Sequence, residues 1–163
     1  MRVTKALRNL SDNIDSLIMK VVFVTIVGMI VSISLQIIFR VFFDALTWTE
    51  ELSRYLLVWS TFLGATLAYK RSMHISVTFC VDLFKNTAKK IVIVFSIVLS
   101  LLFFVVVACF GIKYMLMQST QVSAALRIPM RWVYIVIPIS FIVMAVHGIT
   151  GILDEIFKVK EVK

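Results

Sequence analysis

The residues with chemistry to offer are concentrated between Gln36 and Arg54, which read QIIFRVFFDALTWTEELSR in an otherwise greasy chain. Glu50 and Arg54 stand at i, i+4 in the order that favours a helical ion pair. Thr47, three residues before Glu50, forms the sequence signature of a capping box that would start a helix there. Glu51 shares a face with Arg54, and Arg40 closes the preceding apolar run, so two acids and two arginines can gather into a compact, nearly neutral cluster. Two readings follow: an interfacial ion network that ties the two segments together, or a docking surface whose charges find partners in a second protein. Asp44, Thr47, Glu51 and Arg54 also fall on one helical face, which permits a short helix lying in a membrane plane.

Other chemistry is sparse. No carboxylate lies inside any apolar run, so the chain offers no intramembrane proton relay or cation site of its own. Its many Ser and Thr residues lack a neighbouring His or Asp to activate them, which argues against an enzyme. His74 and His147 sit toward the same side of the membrane and could in principle share a haem, yet two histidines from one short chain are thin support. Cys80 and Cys109 belong to opposite sides and form no C-x-x-C, so neither disulfide nor thiol redox chemistry is expected. No metal or cofactor is implied.

These residues are carried by segments built for lipid. The chain has 163 residues, of which 61% are hydrophobic and 16% charged, with a mean hydropathy of +1.01. Soluble domains average about 45 to 50% apolar and about 25% charged. About 20 apolar residues cross the roughly 30 Å hydrocarbon layer as a helix. Four spans are predicted, at about 21–40, 48–69, 91–113 and 130–153, within a single membrane domain covering 1–163. The fold class is all-α integral membrane. The second span is the least apolar, since it borrows its first turns from the Glu50–Arg54 stretch.

The net charge of +8 is a matter of placement. Twelve of the seventeen Lys and Arg fall in the N-terminal tail, the second connection and the C-terminal tail, and five in the other two connections. Positively charged connections stay in the cytoplasm, so both termini are expected there, and no nucleic acid is needed to explain the charge.

The first twenty residues carry no A-x-A-like cleavage site and read as an uncleaved signal anchor. Leu7, Leu10, Ile14, Leu17 and Ile18 recur at helical spacing opposite Arg2, Arg8, Asp12 and Asp15, which predicts an amphipathic interfacial helix over about 4–19. A frayed tail remains the alternative. The third span has no Gly or Pro between Tyr114 and Ala125, leaving a helical continuation to 125 open, with a firm stop at Pro129. Pro138, inside the fourth span, would free the Tyr134 carbonyl and kink the helix unless a neighbour satisfies it. Ser60, Gly64 and Ala68 make a small-residue stripe on the second span, expected to serve internal packing more than a subunit interface.

The run from Gln36 through Arg40, then WTEELSRYLLVW and FLGATLAYKRSMHISV, resembles the small membrane subunit of TRAP (tripartite ATP-independent periplasmic) transporters. The matching positions include Arg40, Trp48, Glu50, Glu51, Arg54, Trp59, Gly64, Ala65, His74 and Ile75. A weaker match is RIPMRWVYIVIP, with Arg127 at its head and Pro129, Tyr134 and Pro138 where the family has them. The resemblance implies a non-catalytic scaffold in a bacterial inner membrane. Its implied partners are a large multispanning subunit, which carries the substrate and sodium sites, and a soluble periplasmic substrate-binding protein. Organic acids, sialic acid or C4-dicarboxylates among them, are the implied substrates, and nothing in this chain chooses between them. The alternative is a free-standing four-helix protein, either a small homo-oligomeric exporter or a haem-binding redox subunit.

Overall fold

A computed structural model describes residues 2–81 and 86–161, with side chains described for 7–71, 92 and 95–153. The described chain is almost wholly helical: α1 (Arg2–Phe42), α2 (Thr47–Val81), α3 (Asn86–Met117), a 3-10 turn at Gln118–Thr120, α4 (Arg131–Tyr134) and α5 (Val136–Glu161). The extended pairing among these residues is limited to one isolated bridge, Val122 to Pro129.

The first helix corrects two expectations. No separate interfacial helix forms over 4–19; α1 runs unbroken for 41 residues, about 61 Å at 1.5 Å per residue. The reason is packing. Ser11 and Ile18 are buried, with Ile14 half-buried beside them, so this stretch packs against the bundle as a continuation of α1. Leu10 and Leu17, expected on the apolar face, are exposed instead. Nor does a helix form between α1 and α2, because residues 43–46 are a non-helical link. That link is pinned by Ser32, whose hydroxyl donates to the Thr49 carbonyl at 2.8 Å, while Thr49 donates to the Leu46 carbonyl at 2.7 Å.

α2 also outruns its expected end near residue 69 and continues to Val81. No Gly or Pro interrupts it after Gly64, and Lys70, counted as a loop residue, is drawn into the helix and donates to Asp12 at 2.8 Å. α3 stops short of 125, tightening into the 3-10 turn that ends at Thr120. Pro138 acts as expected at its own site: the fourth helix is broken at Ile135, between α4 and α5.

α1 lies along α2, α5 packs against both, and α3 packs chiefly against α5. Ile18, Leu63, Leu67 and Val136 form the buried seam. Edge-on aromatic contacts among Tyr69, Phe103, Phe104 and Phe141 join α2, α3 and α5. Outward faces remain apolar, including Phe23, Ile30 and Ile37 on α1 and Phe95, Leu102 and Phe110 on α3. Among the described residues three helical stretches, Leu7–Phe42, Phe95–Thr120 and Arg131–Leu153, are long and apolar enough to cross a membrane. The apolar part of α2, 55–69, is diluted by Ser60, Thr61, Gly64 and Thr66.

Candidate hairpin clasp and polar junction

At the end where α1 gives way to α2, the expected four-charge cluster divides. Arg54 pairs with Glu50 at 2.8 Å in an exposed i, i+4 bridge whose side chains keep 69% and 58% of their accessible surface. Arg40 is exposed and makes no ion pair among the described residues, so it does not tie α1 to α2. Thr47 lies inside the first turn of α2 and not at its cap, which removes the capping box.

Glu51 leaves the cluster altogether. Its carboxylate accepts backbone N–H bonds from Ala124 at 3.1 Å, Ala125 at 2.9 Å and Leu126 at 2.8 Å, and a hydroxyl bond from Tyr55 at 2.6 Å. It therefore clasps the connection between α3 and α4. Glu51 precedes the apolar stretch of α2. The Tyr55 hydroxyl first, then the Leu126, Ala125 and Ala124 amides, stabilise its charged form and hold the carboxyl down at about 2, although desolvation opposes them.

The clasped segment is itself a small hairpin. Ser123 N–H donates to the Ile128 carbonyl at 2.9 Å, Met130 N–H to the Gln121 carbonyl at 2.9 Å, and Ile128 N–H to Ser123 Oγ at 3.3 Å. Pro129 serves as the bridge partner of Val122. At the tip Arg127 adopts φ 56, the left-handed region that a non-glycine residue enters only when its surroundings impose it. Below the loop, Trp59 Nε1–H donates to the Val133 carbonyl at 3.2 Å, one residue before Tyr134, at the helix break. Tyr134 stacks edge-on against Tyr114, with centroids 5.0 Å apart, and Pro138 is buried against the Gly111 backbone.

The stripe Ser60, Gly64, Ala68 does not serve internal packing as expected: a Cβ added at Gly64 would meet no atom within 4 Å. That contrasts with Gly148, where an added Cβ would approach Leu101 to 2.9 Å. Gly64→Leu should accordingly leave the thermal unfolding of the isolated chain within about 0.5 kcal/mol of wild type. A loss seen only in a larger assembly would mean that another protein covers this face; equal loss in the isolated chain would contradict the packing described. Trp48, in the first turn of α2, is partly exposed at the N-terminal end of the same helix. His74 lies in α2, and its side chain is outside the described residues, as is that of Cys80.

A second polar junction, not anticipated as a unit, sits at the opposite end. His147 of α5 is 0% exposed, and its Nδ1 is hydrogen-bonded to Ser11 Oγ of α1 at 2.7 Å. Lys70 of α2 donates to the Ser11 carbonyl at 3.1 Å and to Asp12 at 2.8 Å. Asp15 Oδ1 and His147 Nε2 are buried nearby without a hydrogen-bond partner among the described residues. Three helices are thus joined through side chains that the sequence shows only as scattered polar letters. The one available signal was Ser11, Asp15 and Ile18 at helical spacing, which places two polar groups on the buried face.

Residues 29–158 match a family model described as "Tripartite ATP-independent periplasmic transporters, DctQ component". A putative TRAP transporter small permease protein of Haemophilus influenzae is 42% identical over 55 residues, which are 33% of this chain and 34% of that protein. The isethionate TRAP transporter permease protein DctMQ of Oleidesulfovibrio alaskensis is 30% identical over 118 residues, 69% of this chain and 18% of its own length. The sialic acid TRAP transporter small permease protein SiaQ of Vibrio cholerae is 29% identical over 116 residues, 68% of this chain and 64% of its own length. The chain therefore spans less than two thirds of the length of each of these relatives.

Proposed function

Since the chain belongs to the DctQ component family of tripartite ATP-independent periplasmic transporters, we propose that it is the small, non-catalytic membrane subunit of a sodium-coupled importer of organic acids. It braces a large multispanning subunit in the bacterial inner membrane and offers part of its outer face to a soluble substrate-binding protein. The observation that carries this reading is the family match over residues 29–158. The relative DctMQ supports a large partner, because this chain corresponds to only 18% of it. Relatives named for isethionate and for sialic acid support an organic acid as substrate, with the choice made outside this chain.

Four spans with both termini in the cytoplasm fit the same reading. The rise from Glu51 to Lys70 is about 28 Å and from Ser11 to Ser32 about 31 Å, close to the roughly 30 Å of hydrocarbon. The polar junction at Ser11, Lys70 and His147 and the clasp at Glu51 would then mark the two interfaces. On this account α2 crosses as the second of the four spans over 52–69 despite its diluted hydropathy, shielded along one face by α1 and α5. The free-standing haem alternative loses ground, because His147 is fully buried with Nδ1 engaged by Ser11.

Reconstitution tests the proposal. Vesicles holding this chain with its large subunit should take up a labelled organic acid only when the binding protein and a sodium gradient are supplied. Uptake by vesicles holding this chain alone would overturn it.

A further inference from the structure

Arg127 combines a left-handed non-glycine backbone with a side chain unused among the described residues. It is exposed, and it makes no hydrogen bond or ion pair among the described residues. Yet its left-handed backbone is held by contacts on both sides: the Glu51 clasp on 124–126, and the Ser123, Ile128, Pro129 and Met130 pairing behind it. Glycine or asparagine would occupy this conformation with less strain. A strained, over-determined position bearing an idle guanidinium points to use by something outside the chain.

The charge around it indicates what that is. Glu50 is engaged by Arg54 and Glu51 by the loop itself. Arg131 lies over the Trp132 ring at 5.5 Å. Arg40, Lys113 and Arg127 remain exposed without ion pairs among the described residues, against Asp44 alone of the acids at this end. The unpartnered surface is therefore positive, and complementary to carboxylates. What the hairpin holds is the backbone from which the side chain springs, and a defined point of attachment serves registration against a folded protein surface, while a fluid headgroup layer gains nothing from it.

We propose that Arg127, displayed by the Glu51-clasped hairpin, is a fixed cationic anchor for an acidic patch on the soluble substrate-binding protein. This rests on the function proposed above and names one contact of its outer face. Arginine is among the residue types that dominate binding at interface centres, where truncation commonly costs on the order of tenfold or more in affinity.

The test uses the complex of this chain with its large subunit in nanodiscs of zwitterionic lipid, titrated with the system's soluble binding protein at several salt concentrations. Arg127→Gly and Arg127→Asn remove the charge while tolerating the left-handed backbone, so the hairpin survives. Both should weaken binding on the order of tenfold and flatten its salt dependence. Arg127→Glu should weaken it further, with co-purification of the large subunit unchanged in all three. Equal affinity in wild type and variants would overturn the proposal. So would loss of the large subunit from the variants, which would assign Arg127 to the membrane interface, or a loss confined to retention of anionic lipid. A wild-type complex that does not bind the soluble protein would overturn the functional reading as well, an outcome distinct from equal binding by wild type and variant.

Discussion

Glu51→Ala should release residues 121–130 from α2 and abolish the ordered hairpin before α4. Four hydrogen bonds converge on this carboxylate, three of them from consecutive backbone amides of the loop. No other described side chain can replace them, since Glu50 is held by Arg54. Amide exchange at Ala124, Ala125 and Leu126 should accelerate on the order of tenfold or more, and Arg127 should lose its imposed left-handed conformation. Glu51→Gln keeps the size but turns an acceptor pair into one acceptor and one donor facing amide donors, so most of the effect should persist. Arg54→Ala provides the contrast. Its pair with Glu50 is mostly exposed, and exposed pairs contribute about 0 to 1 kcal/mol, so that variant should unfold close to wild type. An Arg54→Ala effect larger than that of Glu51→Ala would contradict the division of the cluster. The pH dependence has a definite sign. A carboxyl held at about 2, below its usual 4.5, lends stability that is fully present above 4.5 and is lost as pH falls through about 2.

His147→Ala is the second large effect. The ring is completely buried among α1, α2 and α5, so truncation leaves a cavity and strands the Ser11 hydroxyl. Large-to-alanine core changes cost roughly 2–5 kcal/mol. His147→Leu refills most of the volume but not the hydrogen bond, and should recover part of the loss. The difference between the two variants in thermal unfolding separates packing from polar bonding. Wild-type stability in both would show that the His147 junction does not hold the three helices together.

Much of the helical architecture was legible because it depends on composition and length. Among the described residues, the charge-free runs Val21–Phe39 and Trp132–Leu153 fall inside stretches long and apolar enough to span, and Ile91–Ile112 overlaps a third from Phe95 onward. Pro138 broke its helix for a local steric reason that a single residue carries. Helix ends were less legible, because nothing local stops α1 or α2. Their continuity is decided by what Ser11, Ile18 and Lys70 meet on neighbouring helices.

The cluster from Arg40 to Arg54 shows the same limit. Sequence spacing finds the i, i+4 partner of Arg54 but cannot see that Glu51 turns toward a loop more than seventy positions away. Local rules name neighbours on one helix; tertiary contacts reassign them. Likewise the Gly64 stripe was visible as a pattern, while the side on which it opens was not. Pro138 raised from sequence the question of what satisfies the Tyr134 carbonyl; Trp59 binds the neighbouring Val133 carbonyl and so steadies the chain beside the break without engaging Tyr134 itself.

The central claim is that this chain works as one part of a larger membrane assembly. The direct measurement is to tag it, purify it from native membranes in mild detergent and identify its companions by mass spectrometry. Recovery of a much larger multispanning protein in equal amount is the predicted result. Recovery of the chain alone, as a stable homo-oligomer, would contradict it.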